Sequence, residues 1–258
     1  MNLKTAFLLL WIAFLLSSCA GSGQYQTTRS HYTPNLAKEK LNAELAWVGG
    51  TGASANAALK VSEHWGAVAT FQSNRTSYNA SPGIFATERT YAKRGYSIDL
   101  GANFNTPIGK KGSFNVSSGV GYNTSELSAV TKGYSYVDYY ATKGAYWYIQ
   151  PYLTLGQHKK TKHQFTARFQ NYGFNLSANN IGYSSYSTTQ RNNELLASFS
   201  LGYGIDWSVM PNLNITTQIG LETPLNGIEI KGTYDTKTSV PEAGWAKIGI
   251  QFVLPSKK

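Results

Sequence analysis

Apolar and polar residues alternate along most of the chain after residue 40, in segments separated by turn-type residues. Between Leu195 and Trp207, large apolar side chains occupy every second position, and Ser, Gly and Asp lie mainly between them. A period of two indicates β-strands with unlike faces. The pattern predicts ten strands and no helix beyond the N-terminal segment: 41–48, 54–62, 65–73, 94–104, 113–124, 145–156, 162–173, 194–209, 212–222 and 244–254.

Two all-β architectures produce this pattern. In a soluble sandwich or lipocalin-like barrel the apolar face points inward. In an outer-membrane barrel the apolar face meets lipid, and the small and polar side chains face the lumen. The polar face here contains much Gly, Ser, Asn and Thr and few charges, which suits a narrow lumen better than a water-facing sheet.

The connections and the tryptophans also favour the membrane. Short turns such as 63–64 and 210–211 alternate with longer connections, four of which (74–93, 125–144, 174–193 and 223–243) span about twenty residues. Five tryptophans fall at predicted strand ends, as in the aromatic belts of membrane barrels: Trp47, Trp65, Trp147, Trp207 and Trp245. We therefore predict an antiparallel up-and-down transmembrane β-barrel over 40–258 with about ten strands, eight being the alternative count.

The N-terminus predicts export and lipidation. A short basic stretch, an apolar run ending near Leu16 and then Ser17-Ser18-Cys19 form a signal peptide over 1–18 that closely resembles a bacterial lipobox. Cys19 would carry the acyl chains, palmitate among them, and residues 19–39 would form a lipidated tether. An even strand count and the absence of an acidic cluster after Cys19 favour a periplasmic N-terminus in a Gram-negative outer membrane.

Composition excludes several kinds of chemistry. The chain has one Cys and four His, so neither a disulfide framework nor a cysteine-based zinc site can form, and we expect no metal and no cofactor. The formal charge is +10, but the basic residues are scattered rather than clustered, which argues against a nucleic-acid partner.

Strand parity places a set of charged side chains inside the predicted barrel. Charges removed from water must be paired. The set predicts a charge network that closes the lumen, or alternatively one that lines a path for a small solute: Glu44, Lys60, Asp99, Arg168, Asp206, Glu222 and Lys247.

The sequence offers little support for an enzyme. Barrel hydrolases and acyl transferases need a histidine near the outer rim or the lipid face. His31 lies in the predicted tether, while His64, His158 and His163 lie at periplasmic turns. We therefore expect no catalytic residue, and a barrel hydrolase or acyl transferase is the least favoured alternative.

Two stretches resemble a known family. Asn56 to Ala69 contains the turn Ser62-Glu63-His64 before an aromatic-rich strand, and Tyr148 to Gly156 is followed by Phe165 to Phe169. These stretches resemble small outer-membrane β-barrel lipoproteins of Bacteroidota, a largely uncharacterised family. The resemblance implies fold and location, and it carries over no catalytic residue.

The long connections are the best candidates for function, because they combine Tyr with Ser, Thr, Asn and Gly, as binding loops do. We expect a non-enzymatic outer-membrane lipoprotein with a structural or interaction role. Its partners would be membrane lipid and a protein or glycan at the outer loops. A barrel that transports a small solute or lipid is the alternative.

Overall fold

The computed structural model describes residues 31–36, 39–48, 52–80, 89–109, 111–131, 136–156, 160–181, 186–225, 230–231, 237–238 and 243–255. The strands are β1 (Glu39–Val48), β2 (Gly52–Lys60), β3 (Trp65–Ala80), β4 (Arg89–Ile108), β5 (Gly112–Thr131), β6 (Tyr136–Leu155), β7 (Thr161–Ile181), β8 (Tyr186–Met210), β9 (Leu213–Pro224), β10 (Ile230–Lys231), β11 (Lys237–Thr238) and β12 (Ala243–Pro255). Among these residues, no helix is long and apolar enough to cross a membrane.

Ten of the strands form one closed antiparallel barrel in the order β1-β12-β9-β8-β7-β6-β5-β4-β3-β2. Within the barrel, each strand from β1 to β9 pairs with the next, β9 pairs with β12, and β12 closes the sheet onto β1 through a ladder that includes Leu45 opposite Ile250. The predicted ten-stranded up-and-down barrel is thus confirmed. The pair β10 and β11 forms a separate two-stranded hairpin within the connection from β9 to β12.

The two ends of the barrel differ. The connections 61–64, 109–111, 156–160 and 211–212 lie at one end, which we call the short-turn end. At the opposite end, the hairpin end, β3 to β8 continue as paired extensions, and each of these strands has at least 16 residues. In contrast, β1, β2, β9 and β12 have 10, 9, 12 and 13 residues, so the wall of the barrel is low on their side.

Three of the four long loops predicted at the hairpin end are mainly strands. Residues 74–80 and 89–93, 125–131 and 136–144, and 174–181 and 186–193 continue the ladders of β3 to β8. The predicted ends of these strands were therefore too early, and most of the predicted connections 74–93, 125–144 and 174–193 belong to the ladders. The polar composition of these residues is typical of loops. However, Tyr and Thr also favour strands, and antiparallel hairpins can continue into water.

The apolar face points outward. Along β2, buried and exposed positions alternate strictly from Gly52 to Leu59. Large apolar side chains at outward positions have exposed fractions of 55–70%: Leu45, Leu100, Val120, Leu201, Leu221 and Ile250. Ser200 and Gln218, which lie on the opposite parity, are buried. This arrangement matches a barrel with its apolar surface in lipid and its polar side chains in the lumen.

Trp245 departs from the predicted aromatic belt. Its side chain is only 2% exposed and lies in the lumen, whereas those of Trp47, Trp65 and Trp147 are at least 40% exposed on the outside. The ladder between β9 and β12 is continuous from Ala243 to Phe252, so Trp245 shares the inward face of Lys247. No shift of register interrupts this ladder near Trp245.

Candidate functional site

The lumen is filled by a short piece of the chain itself. Residues 31–36, which we call the luminal segment, precede β1 and are all buried. They belong to the part of the sequence expected to form a tether, because they show neither an apolar period nor a strand pattern. Lys247 of the predicted charge network contacts the backbone of His31, and Thr33 contacts Gln164, which in turn donates to Asp206, so the luminal segment and the network form one site.

Glu44 and Lys247 form one half of this network. The Nζ of Lys247 lies 2.9 Å from Oε2 of Glu44, and it also donates to the backbone oxygen of His31 at 3.0 Å. Glu44 accepts further hydrogen bonds from Thr216 at 2.6 Å and from Asn56 at 2.8 Å. Because a buried carboxylate needs several donors to replace water, this arrangement stabilises the charge and ties the luminal segment to β12.

Asp99 and Arg168 form the second half. The guanidinium Nη2 of Arg168 lies 3.2 Å from Oδ2 of Asp99, and Tyr146 donates to the other carboxylate oxygen. The same guanidinium lies 3.9 Å from the ring centroid of Tyr148, which is a cation–π contact. Because β4 and β7 are not neighbours in the sheet, this ion pair crosses the lumen.

The other three predicted charges lie elsewhere. Asp206 is buried and accepts a hydrogen bond from Gln164 at 2.8 Å. Glu222 is buried and accepts one from Ser198 at 2.8 Å. Lys60 ends β2 at the short-turn end, where it is only half-buried. Among the predicted charges, the structure thus shows two direct ion pairs in the lumen, Glu44 with Lys247 and Asp99 with Arg168.

An ion pair that the sequence analysis missed lies at the short-turn end. The Nζ of Lys162 lies 3.0 Å from Oε1 of Glu39, and both side chains are at most 10% exposed. Lys162 lies on the same face of β7 as Arg168, so the alternation of the strand could have predicted that its side chain faces the lumen. It could not have done so for Glu39, because the register of β1 shifts between Glu39 and Leu41, and such a bulge reverses the expected face.

Hydrogen bonds hold the middle of the luminal segment. The hydroxyl of Tyr32 donates to the backbone oxygen of Asn42 at 2.7 Å, and Gln150 donates to the backbone oxygen of Tyr32 at 2.8 Å. Tyr152 donates to the backbone oxygen of Pro34 at 2.7 Å. These partners lie on β1 and β6, so the segment bridges separate parts of the wall.

Apolar packing fixes Leu36, the residue of the luminal segment that lies nearest to the short-turn end. Leu36 is fully buried in a cluster with Tyr32, Ala58 and Val68. A Cβ added at Gly66 would lie 2.2 Å from Cδ1 of Leu36, so the absence of a side chain on β3 makes room for this leucine. The strand pattern cannot reveal this contact, because Leu36 itself lies outside every strand.

His31 is the first residue of the luminal segment and lies farthest from the short-turn end. Its ring is 4.9 Å from that of Trp245, and its Nε2 is 2.7 Å from Oγ of Ser200. This contact joins a histidine to a serine, as in a hydrolase. However, Nδ1 of His31 has no hydrogen-bond partner among the described residues, so the third member of a triad is missing. His31 is also fully buried, so we interpret the contact as part of the packing.

The other described histidines lie near the short-turn end. His64, in the turn between β2 and β3, has its Nδ1 3.0 Å from the backbone oxygen of Asn105. His163 has its Nδ1 2.8 Å from the hydroxyl of Tyr203. His158, like Cys19 and the rest of residues 1–30, lies outside the described residues. Within the described part of the chain, no three His, Cys, Asp or Glu side chains are grouped as metal ligands would be.

These features define a class: a ten-stranded antiparallel barrel of the outer-membrane type with a filled lumen. The structure is similar to the outer membrane protease OmpT from Escherichia coli, with a TM-score of 0.55, 9% sequence identity, and coverage of 84% of this chain and 94% of that one. The translocator domain of the autotransporter NalP from Neisseria meningitidis gives a TM-score of 0.48 at 11% identity, over 96% and 95% of the two chains. Because OmpT shares so little sequence, its likeness carries the fold alone.

A third similar structure is the toluene transporter TodX from Pseudomonas putida, with a TM-score of 0.41, 12% identity, and coverage of 94% of this chain and 76% of that one. No family model matches the chain. No curated protein matches it either.

Proposed function

We propose that the chain is a lipid-anchored outer-membrane barrel with a closed lumen, and that it acts as a non-enzymatic structural or interaction protein through its outer hairpins. The filled lumen is the observation that carries this proposal. The luminal segment and the ion pairs of Glu44, Asp99 and Glu39 occupy the space that a solute would need. A transport barrel that conducts continuously would need that space to be free.

The proposed location follows from the outward apolar face together with the barrel fold. Cys19 is the proposed acylation site after removal of residues 1–18, and the resemblance to Bacteroidota lipoproteins agrees with this anchor. Labelling with a palmitate analogue tests it. We expect incorporation into the wild-type chain and none into Cys19→Ala, whereas equal labelling of both chains would contradict the anchor.

The role of the hairpins is proposed from their length and exposure. The extensions of β3 to β8 place residues such as Thr90 and Gln190, both exposed, at the hairpin end, and their sequence is rich in Tyr, Ser, Thr and Asn. Amphipathic tyrosines with small polar neighbours suit recognition of a protein or glycan. OmpT is a protease by name. In this chain none of the four histidines falls in the extensions, so we do not carry that activity over.

Planar bilayer recordings test the closed lumen. We expect no steady single-channel conductance from the wild-type chain. A variant in which residues 31–36 are replaced by Gly and Ser should conduct, because it keeps the barrel wall but loses the buried contacts of the luminal segment. Heat-modifiable gel mobility of both proteins shows that each is folded. Stable conductance steps from the folded wild-type chain would contradict the proposal and favour the transport alternative.

A further inference from the structure

The luminal segment has a definite direction in the barrel. At its start, His31 contacts Ser200 and Trp245, each ten residues from the short-turn end of its strand. At its finish, Leu36 packs against Gly66, the second residue of β3. The chain therefore descends from the middle of the lumen to the short-turn end, where β1 begins and runs back up.

The space below His31 is closed to a second passage of the chain. Lys162 on β7 and Glu39 on β1 form an ion pair between strands that are not neighbours, so their bridge crosses the lumen at the short-turn end. Above it, Thr33 donates to Gln164, and Gln164 Nε2 donates to the backbone oxygen of Thr33 at 3.2 Å. A chain that turned back beside residues 31–36 would have to break these buried contacts, which are costly to lose.

The hairpin end offers an easier exit on one side. The walls formed by β1, β2, β9 and β12 are the low ones, and Trp245, which contacts His31, lies on β12. Near the hairpin end, the inward side chains of β1 and β2 are small: Ala46, Val48 and Ser54. A chain leaving His31 on this side has only a short wall to cross before it reaches the membrane surface.

We infer that the chain preceding His31 leaves the barrel at the hairpin end and that the acylated Cys19 is anchored in the outer leaflet, at the cell surface. Cys19 lies twelve residues before His31, and twelve extended residues reach at most about 40 Å. That reach exceeds the whole apolar band of ~25 Å. The inference rests on the proposed outer-membrane anchor, and it differs from the sequence-based expectation of a periplasmic N-terminus.

Cysteine accessibility in intact cells tests this inference. Ser22→Cys introduces a thiol three residues after the proposed anchor. Thr90→Cys at the hairpin end and Lys111→Cys in a short turn serve as matched controls on exposed side chains. A membrane-impermeant maleimide is applied before and after permeabilisation, and the wild-type chain is labelled in parallel after denaturation. Heat-modifiable mobility verifies that each variant is folded.

We expect Ser22→Cys and Thr90→Cys to react in intact cells and Lys111→Cys to react only after permeabilisation. If the controls behave in this way and Ser22→Cys needs permeabilisation, the inference is overturned and the N-terminus is periplasmic. If Lys111→Cys reacts and Thr90→Cys does not, the assumed orientation of the barrel is wrong. If the denatured wild-type chain is labelled, its only cysteine is not acylated, and the proposed anchor fails instead.

Discussion

The two ends of the barrel are held together in different ways. Towards the short-turn end, side chains from β1, β4, β6, β7 and β12 meet in the lumen around the luminal segment and form buried ion pairs. At the hairpin end, the strands continue as ladders, and the ion pair where the extensions of β4 and β5 begin, Arg94 with Glu126 at 2.5 Å, has side chains 73% and 35% exposed. The described buried ion pairs thus lie around the luminal segment, whereas uncharged side chains such as Tyr172 and Phe174 are buried towards the hairpin end.

This difference has a consequence for variation. A buried charge that loses its partner has no water to replace it, so changes in the filled half are costly. Exposed pairs on the extensions exchange protein contacts for water at little cost. Exposed positions at the hairpin end can therefore change with less loss of stability than the buried charges.

The largest effect is expected from removing one partner of a buried ion pair. Lys247→Met leaves the carboxylate of Glu44 buried without its cation, and the free energy of unfolding should fall by about 3–5 kcal/mol. Urea titration of the folded chain in lipid vesicles measures this. The exposed Lys111→Met is the matched control and should have no measurable effect. The double variant Glu44→Gln/Lys247→Met should lose less than Lys247→Met alone, and equal losses would contradict the pairing.

A smaller effect is expected from crowding Trp245. A Cβ added at Gly220 would lie 2.3 Å from Trp245 Cζ2 and 2.5 Å from the backbone oxygen of Leu201. Gly220→Ala should therefore destabilise the barrel by about 1–3 kcal/mol in the same titration. Gly173→Ala is the control, since its nearest heavy atom outside neighbouring residues is Leu195 Cδ2 at 3.7 Å. Equal stability of the two variants would mean that Trp245 does not pack against Gly220.

The smallest effect is expected at the hairpin end. Arg94→Gln removes the exposed ion pair with Glu126, and the urea midpoint should stay within experimental error of the wild-type value. The titration is repeated at high salt. Because salt screens exposed charges, the urea midpoints of Arg94→Gln and the wild-type chain should again agree. A loss comparable to that of Lys247→Met would erase the distinction between the two ends.

Much of the barrel could be predicted from residue alternation. The period of two located the ten strands and placed Glu44, Asp99, Arg168 and Lys247 in the lumen, because every second side chain of a strand faces the same way. The alternation could not predict where the strands end at the hairpin end. There polar residues are frequent among the apolar ones, and a ladder in water resembles a loop in composition.

The rest of the site depends on contacts that have no period. His31 and Leu36 lie outside any strand, so only the folded lumen shows that they fill it. Glu39 was hidden by the bulge that reverses its face. Trp245 was assigned to the outer belt because tryptophans are common there, whereas its register places it inside.

The central claim is that the apolar face meets lipid while the lumen is filled by the protein's own side chains. Trp147 is 47% exposed on the outside and Trp245 is 2% exposed in the lumen. Two variants that keep only one of these tryptophans, with the others changed to Phe, can be compared in vesicles of brominated lipid, which quenches indole fluorescence on contact. We expect strong quenching of Trp147 and little quenching of Trp245, and the reverse result would contradict an outward apolar face and a filled lumen.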